Sequence, residues 1–137
     1  MMNSQNAAAQ YRAVRSHGLV SDVSPERLVQ VMFEHILLHL ATAQGCMERI
    51  TGNLPLRDIK AKGVVIGKAV RLIGQLDASL NMEQGGQIAV NLHNLYLYML
   101  DRLTQANVTN DARIVAEVVG LIRKIKSGWD QVVKDTR

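Results

Sequence analysis

Apolar residues recur every three or four positions through four long stretches of the chain, the spacing that places side chains on one face of an α-helix. The predicted helices cover residues 25 to about 51, 57–80, 87–106 and 110–134. No segment shows the sustained period-two alternation that is typical of a β-strand. Because short connections favour antiparallel neighbours, the pattern predicts an all-α fold, an antiparallel up-and-down four-helix bundle.

The boundaries of these helices carry capping and stop signals. Ser24 is predicted to cap the first helix, with Pro25 at its first position and Glu26 in its first turn. The remaining signals are Gly52 to Pro55 after the first helix, Gly85-Gly86 between the second and third, and Asn107 to Asn110 before a fourth helix capped by Asn110 or Asp111.

Each predicted helix has an inner apolar stripe and further apolar residues outside it. The inner stripes are Leu28, Met32, Ile36, His39, Ala43, Met47 and Ile50; Ile59, Ile66, Ala69, Val70, Ile73, Leu76 and Leu80; Ile88, Leu92, Leu95, Tyr96, Met99 and Leu103; and Ile114, Val118, Leu121, Ile125, Trp129 and Val132. The surplus comprises Val29, Phe33, Leu37 and Leu38; Val64, Val65 and Leu72; Val90, Leu97, Tyr98 and Leu100; and Val115, Val119 and Val133. Scattered surface apolar residues are ordinary, but a surplus of this size favours a docking groove, self-association or cover by another segment.

The first 23 residues differ from the rest of the chain. Ala7, Tyr11 and Val14 lie three and four residues apart, so this segment could form a short amphipathic helix; a mobile tail is the simpler alternative. The predicted organisation is an N-terminal segment of residues 1–23, helical or extended, followed by a helical domain of residues 24–137.

Composition narrows the class of protein. A chain of 137 residues, 47% of them hydrophobic, is long enough for one domain with its own core. The single cysteine, Cys46, excludes an intrachain disulfide and fits the reducing cytoplasm, and no apolar run has the length of a signal peptide core or a membrane span. The net charge of +4 is too small to indicate which class of partner the protein binds. Two basic clusters, Arg57, Lys60, Lys62, Lys68 and Arg71 together with Arg123, Lys124 and Lys126, lack interleaved aromatic residues and are interpreted as solvated faces that bind no nucleic acid.

Chemistry-bearing motifs are sparse, and no catalytic residue is predicted. His35 and His39 share a helix face, but no HExxH or Glu-x-x-His pair completes a metal site, so no metal and no cofactor is expected. A histidine phosphotransfer domain is a weak alternative because no lysine stands beside His39 or His93. The hypothesis is therefore a non-enzymatic binding protein, with a self-associating structural bundle as the main alternative.

Several motifs make the sequence similar to a known family. They are Tyr11; Ser24-Pro25-Glu26-x-Leu28-Val29-x-x-Met32-Phe33; the block Gly85-Gly86-Gln-Ile88-Ala89-Val-Asn91-Leu92-His-Asn-Leu95-Tyr96-Leu-Tyr98-Met99; and then Leu103, Ala106-Asn107, Asp111, Glu117-Val118, Leu121 and Trp129. On these residues the chain resembles the FliS family of flagellar export chaperones. Phe33-Glu34-His35 stands where the family commonly has Tyr-Asp-Gly, which leaves any family role of that turn in doubt for this chain.

The resemblance implies a cytoplasmic helical bundle that holds the disordered C-terminal region of flagellin in hydrophobic grooves. Such a chaperone prevents premature polymerisation and delivers flagellin to a component of the flagellar export gate, without membrane insertion. In the family the N-terminal tyrosine segment covers part of the groove, which assigns Tyr11, with Val14 on the same face, to this role. Asn91, Leu95 and Tyr98 share one flank of the third helix and are the candidate groove residues. A homodimer remains an open alternative.

Overall fold

Four helices make up the fold in the computed structural model, which describes residues 24–49 and 55–135. They are α1 (Pro25–Arg49), α2 (Leu56–Ala78), α3 (Met82–Thr109) and α4 (Ala112–Asp135). No strand occurs in those two ranges, so the predicted all-α class is confirmed. Tyr11, Val14, Ile50 and the predicted stop at residues 52–54 lie outside the described residues.

The helices form a closed ring in which α1 packs on α2 and α4, and α3 packs on the same two helices. Contacts between opposite ends show that neighbours run antiparallel. The indole Nε1 of Trp129, late in α4, donates to the backbone oxygen of Glu26 at the start of α1 (2.9 Å). Arg49 at the end of α1 pairs with Asp58 at the start of α2, with 3.0 Å between Nε and Oδ1. The topology is therefore the predicted up-and-down bundle.

The predicted cap residues of α1 and α4 act as caps. Ser24 Oγ accepts a hydrogen bond from the amide of Arg27 (3.2 Å), and Asp111 Oδ1 accepts one from the amide of Arg113 (3.0 Å). Both acceptors satisfy amides that have no partner inside the helix. These two local signals in the sequence were therefore interpreted correctly.

Side chains from all four helices fill the core. Its fully buried members include Ile36 and Leu40 of α1, Ile73 of α2, Met99 and Leu103 of α3, and Val115, Val118 and Ile122 of α4. The predicted inner stripes were partly wrong: Phe33, Val115, Val119 and Val133, assigned to the surplus, are buried, whereas Ile88 and Val132, assigned to the core, are 72% and 50% exposed. The reason is that each helix contacts two neighbours, so its buried face is wider than one stripe.

Two glycines shape the start of α3. Gly86 has φ 53° and ψ −134°, a backbone conformation that interrupts the helix. A Cβ at Gly85 would lie 2.7 Å from the Cβ of Ala89, closer than side-chain carbons approach. Residues 81–88 are exposed, and the regular part of α3 begins after Gly86, close to the predicted boundary. The Gly-Gly pair is therefore a structural kink at one end of the bundle.

Lys62 is a correction to the interpretation of the α2 basic cluster as a solvated face. Its side chain is 5% exposed, and its Nζ donates to the backbone oxygen of Asn107 (2.9 Å) and to Oδ1 of Asn110 (3.2 Å). Asn110 ends α3 in the left-handed conformation, with φ 56°. A cation at the C-terminus of a helix satisfies unpaired carbonyls and complements the helix dipole. Lys62 thus ties α2 to the end of α3.

Candidate functional site

An open cleft lies at the end of the bundle where α1 and α3 begin and α2 and α4 end. It has a volume of about 650 Å³, and we call it the end cleft. Its apolar lining residues are Val29 and Phe33 of α1, Leu76 of α2, Leu80 of the following turn, Ile88, Leu92 and Tyr96 of α3, and Ile125, Trp129 and Val132 of α4, with Pro25 and Gly128. The kink at Gly86 precedes the α3 residues of this wall.

The polar lining residues of the end cleft are few and balanced in charge. They are Glu26, Ser79, Asn81 and Lys124, which contribute one carboxylate and one ammonium group. A concave, largely apolar surface with a few polar groups is the usual form of a ligand or peptide site in proteins. The arrangement can therefore bind an apolar segment without a requirement for net charge.

Two aromatic residues of the end cleft are held in place by their surroundings. The hydrogen bond from Trp129 to Glu26 fixes the indole between the first turn of α1 and the last turns of α4. Tyr96 is 3% exposed, and burial, with a smaller contribution from the carboxylate of Asp77, raises the pKa of its phenol to about 12. Both rings therefore present fixed walls, and the Tyr96 phenol is neutral at physiological pH.

The predicted groove residues of α3 lie on a second surface, the α3 flank, which we define as Asn91, Leu95 and Tyr98. Asn91 is exposed and accepts a hydrogen bond from Nε2 of Gln87 (2.8 Å). Leu95 is half-buried against the core, and Tyr98 is 43% exposed. None of the three is among the lining residues of the end cleft. The structure thus places the predicted groove residues of α3 outside the end cleft.

A polar cluster fixes the Tyr98 side chain against α4. Its hydroxyl donates to Oε2 of Glu117 (2.7 Å), and Nε of Arg102 donates to Oε1 of the same carboxylate (2.9 Å). Both hydrogen bonds lower the pKa of Glu117, and the one from Tyr98 has the larger effect. The same hydrogen bond to the Glu117 carboxylate raises the pKa of Tyr98. Glu117 therefore positions the ring of Tyr98 where α3 packs on α4.

The end cleft was not predicted from the sequence because its apolar residues have the spacing of core residues. Ile88, Leu92 and Tyr96 follow one another at a spacing of four, which is the pattern of a buried helix face. Of the three, Tyr96 is buried, Leu92 is half-buried and Ile88 is 72% exposed at the start of α3, a gradient that the spacing alone does not show. Tyr11 and Val14, the other predicted site residues, lie outside the described residues.

The histidines of α1 and α3 contact neighbours that do not form a metal or catalytic site. The rings of His35 and His39 meet edge to face with centroids 6.4 Å apart, and burial, then Lys68 and His35, lower the pKa of His39. His93 Nδ1 lies 2.7 Å from Oδ1 of Asp77.

Within residues 24–49 and 55–135, no group of three or more His, Cys, Asp or Glu side chains could hold a metal ion. None of the helices in those ranges has the length and apolarity needed to cross a membrane.

Comparison with known proteins identifies a family that matches nearly the whole chain. Residues 5–136 match the family described as "Flagellar protein FliS". The chain is 42% identical over 131 residues to the flagellar secretion chaperone FliSB of Pseudomonas aeruginosa, with 96% of this chain and 98% of the relative covered. It is 38% identical to the flagellar secretion chaperone FliS of Vibrio cholerae (89% and 85% covered) and 37% identical to that of Salmonella typhimurium (89% and 86% covered).

These names describe chaperones and not enzymes, in agreement with the prediction that the chain is not an enzyme. The family match covers the whole described bundle, including every residue of the end cleft and of the α3 flank. The chain belongs to the FliS family of flagellar secretion chaperones.

Proposed function

We propose that this protein is a cytoplasmic export chaperone that holds the disordered C-terminal region of flagellin, prevents its premature polymerisation and supports its delivery to the flagellar export gate. The observation that carries the proposal is the end cleft, an open apolar site of about 650 Å³ built from all four helices. Its relatives are named flagellar secretion chaperones, which supports this class of function. Neither a cofactor nor a catalytic group is needed for it.

The energetics of the task favour a large apolar surface. A disordered segment that folds on binding loses roughly 2 to 5 kcal/mol in ordering itself, and burial of apolar side chains must offset this cost. Besides the end cleft, the chain exposes Asn91 and Tyr98 (43%) on the α3 flank. A client that lays an amphipathic helix into the cleft and continues along the α3 flank would cover these surfaces together.

The N-terminal segment of residues 1–23 is proposed to cover the end cleft when no client is bound. Pro25 and Glu26, which follow this segment after Ser24, line the cleft. The C-terminal end of the segment is therefore connected to the site that it would cover. Tyr11 lies thirteen residues before Ser24, a length of chain that spans up to roughly 43 Å. Tyr11 and Val14 can therefore reach any part of the cleft.

Calorimetry with the isolated C-terminal region of flagellin tests the proposed function. We expect binding with a negative heat-capacity change, which marks burial of apolar surface. Since the cleft carries one residue of each charge, affinity should depend only weakly on salt. An affinity that collapses between about 50 and 200 mM salt, as for proteins that contact phosphates, would contradict an apolar groove.

Light scattering with and without the client separates the chaperone from a self-associating bundle. A chaperone should give a mixed complex of defined mass, with the central part of flagellin as the control that does not bind. A homo-oligomer whose mass is unchanged by the flagellin C-terminal region would instead assign the exposed residues of α3 to self-association.

Replacing Tyr11 with alanine should tighten client binding by up to about tenfold. If a cover is held by about 1.5 kcal/mol, roughly one molecule in ten is open, and apparent affinity falls by that fraction. The measurement is the affinity of the flagellin C-terminal region for the wild-type chain and for Tyr11→Ala, with hydrogen exchange of the N-terminal amides. Equal affinities, together with amides that are unprotected in the free protein, would show that the segment is only a tail.

A further inference from the structure

Tyr96 is the lining residue of the end cleft that carries a hydroxyl on a buried aromatic side chain. Its side chain is 3% exposed, and its hydroxyl makes no hydrogen bond with any residue in the described ranges. Tyr98, two positions along the same helix, has a hydroxyl that donates to Glu117. Buried hydroxyls are nearly always paired, since an unpaired one loses its hydrogen bonds to water without replacement. The Tyr96 hydroxyl therefore calls for a partner that the described bundle does not supply.

The surroundings of this hydroxyl define the partner. Burial and the neighbouring carboxylate of Asp77 raise the pKa of the phenol to about 12, so the hydroxyl keeps its proton and can donate. Asp77 also repels a second carboxylate brought close to it. His93, whose Nδ1 lies 2.7 Å from Asp77 Oδ1, already pairs with that carboxylate. A neutral oxygen, such as a peptide or side-chain amide carbonyl, fits best.

We propose that the Tyr96 hydroxyl is the polar recognition group of the end cleft and donates a hydrogen bond to a neutral carbonyl of the bound flagellin segment. This inference rests on the proposed function and specifies which group of the client the end cleft recognises. The apolar walls supply affinity for any hydrophobic segment, whereas one directional hydrogen bond fixes the register of the segment in the cleft. Tyr96 is then a specificity-determining residue, although its spacing in the sequence is that of ordinary core.

The test compares Tyr96→Phe with Thr104→Val in the full chain. Each variant removes one hydroxyl and nearly keeps the size of the side chain. Tyr96→Phe should weaken binding of the flagellin C-terminal region about five- to tenfold, the size of one lost hydrogen bond, while its melting temperature stays the same or rises because no unpaired hydroxyl remains. Thr104 is exposed on α3 outside the end cleft and the α3 flank, and its hydroxyl already donates to the backbone oxygen of Leu100 (3.0 Å), so Thr104→Val should bind within about twofold of wild type.

Other results overturn the inference. If Tyr96→Phe binds as tightly as wild type, the hydroxyl has no part in recognition. If Tyr96→Phe lowers the melting temperature of the client-free chain and leaves affinity unchanged or tighter, residues 1–23 supply its partner. If Tyr96→Phe and Thr104→Val weaken binding equally, the effect comes from the loss of any hydroxyl on α3 and not from recognition by Tyr96. Absence of binding by the wild-type chain would contradict the proposed function itself, and this is visible before any variant is compared.

Discussion

Replacing Ile88 with aspartate should weaken binding of the flagellin C-terminal region about 100-fold and leave the bundle folded. Ile88 lines the end cleft but is 72% exposed, so the free protein loses little when it is changed. In the complex, the variant loses the apolar contact and places a carboxylate against apolar walls, where an unpaired charge is costly. Together these effects come to about 3 kcal/mol, which corresponds to roughly 100-fold in affinity.

Val108→Asp is the matched control for this prediction. Val108 lies near the opposite end of the same helix, is 80% exposed and is not among the residues of the end cleft. The Val108→Asp variant introduces the same charge in place of an exposed β-branched side chain. Its affinity for the flagellin C-terminal region should stay close to that of the wild-type chain. Calorimetry measures both affinities, and circular dichroism melting checks that both variants fold. Equal losses in the two variants would assign the effect to net charge, and no loss in either would place the client elsewhere.

Replacing Tyr98 with alanine should weaken client binding roughly thirtyfold, which makes it the second-largest expected effect. Tyr98 is 43% exposed on the α3 flank, and the hydrogen bond to Glu117 holds its ring ready for a partner. Aromatic side chains that are fixed before binding contribute strongly at interfaces because little conformational freedom is lost. Stability should change little, since Glu117 keeps its ion pair with Arg102 in the variant.

Two measurements decide what Tyr98 does. Tyr98→Phe keeps the ring and should retain most of the affinity, so a comparison of the Phe and Ala variants isolates the ring contact from the hydroxyl. Thermal unfolding of Tyr98→Ala reports any structural role. A large fall in melting temperature with unchanged affinity per folded molecule would show that Tyr98 belongs to the packing of α3 on α4.

Most of the fold could be predicted because helical periodicity and caps are local properties of the chain. Ser24 and Asp111 act as caps within three residues of the amides that they bind, so their roles are visible in short stretches of sequence. The fold class and the antiparallel order followed from the same local signals and from short connections. Family membership was also predicted, because the block that begins at Gly85-Gly86 is specific to the family.

The assignment of residues to the core was less accurate, and α4 shows why. Val115, Val119 and Val133 were assigned to an apolar surplus, but they are buried because α4 packs against both α1 and α3. Val132, assigned to the inner stripe, is 50% exposed beside the end cleft. A helix with two adjacent apolar stripes carries no sequence signal for which stripe turns inward.

By itself, the sequence determined the number, order and approximate limits of the helices, because each depends on residues that are close together along the chain. Tertiary structure alone decided three features that join distant residues. Lys62 is buried because the C-terminus of α3, 45 residues further along, needs a cation. Ile88 is 72% exposed because the ends of the other three helices do not close over the start of α3. The end cleft exists because four helix ends meet there without covering one another, and no local pattern of apolar residues records such a meeting.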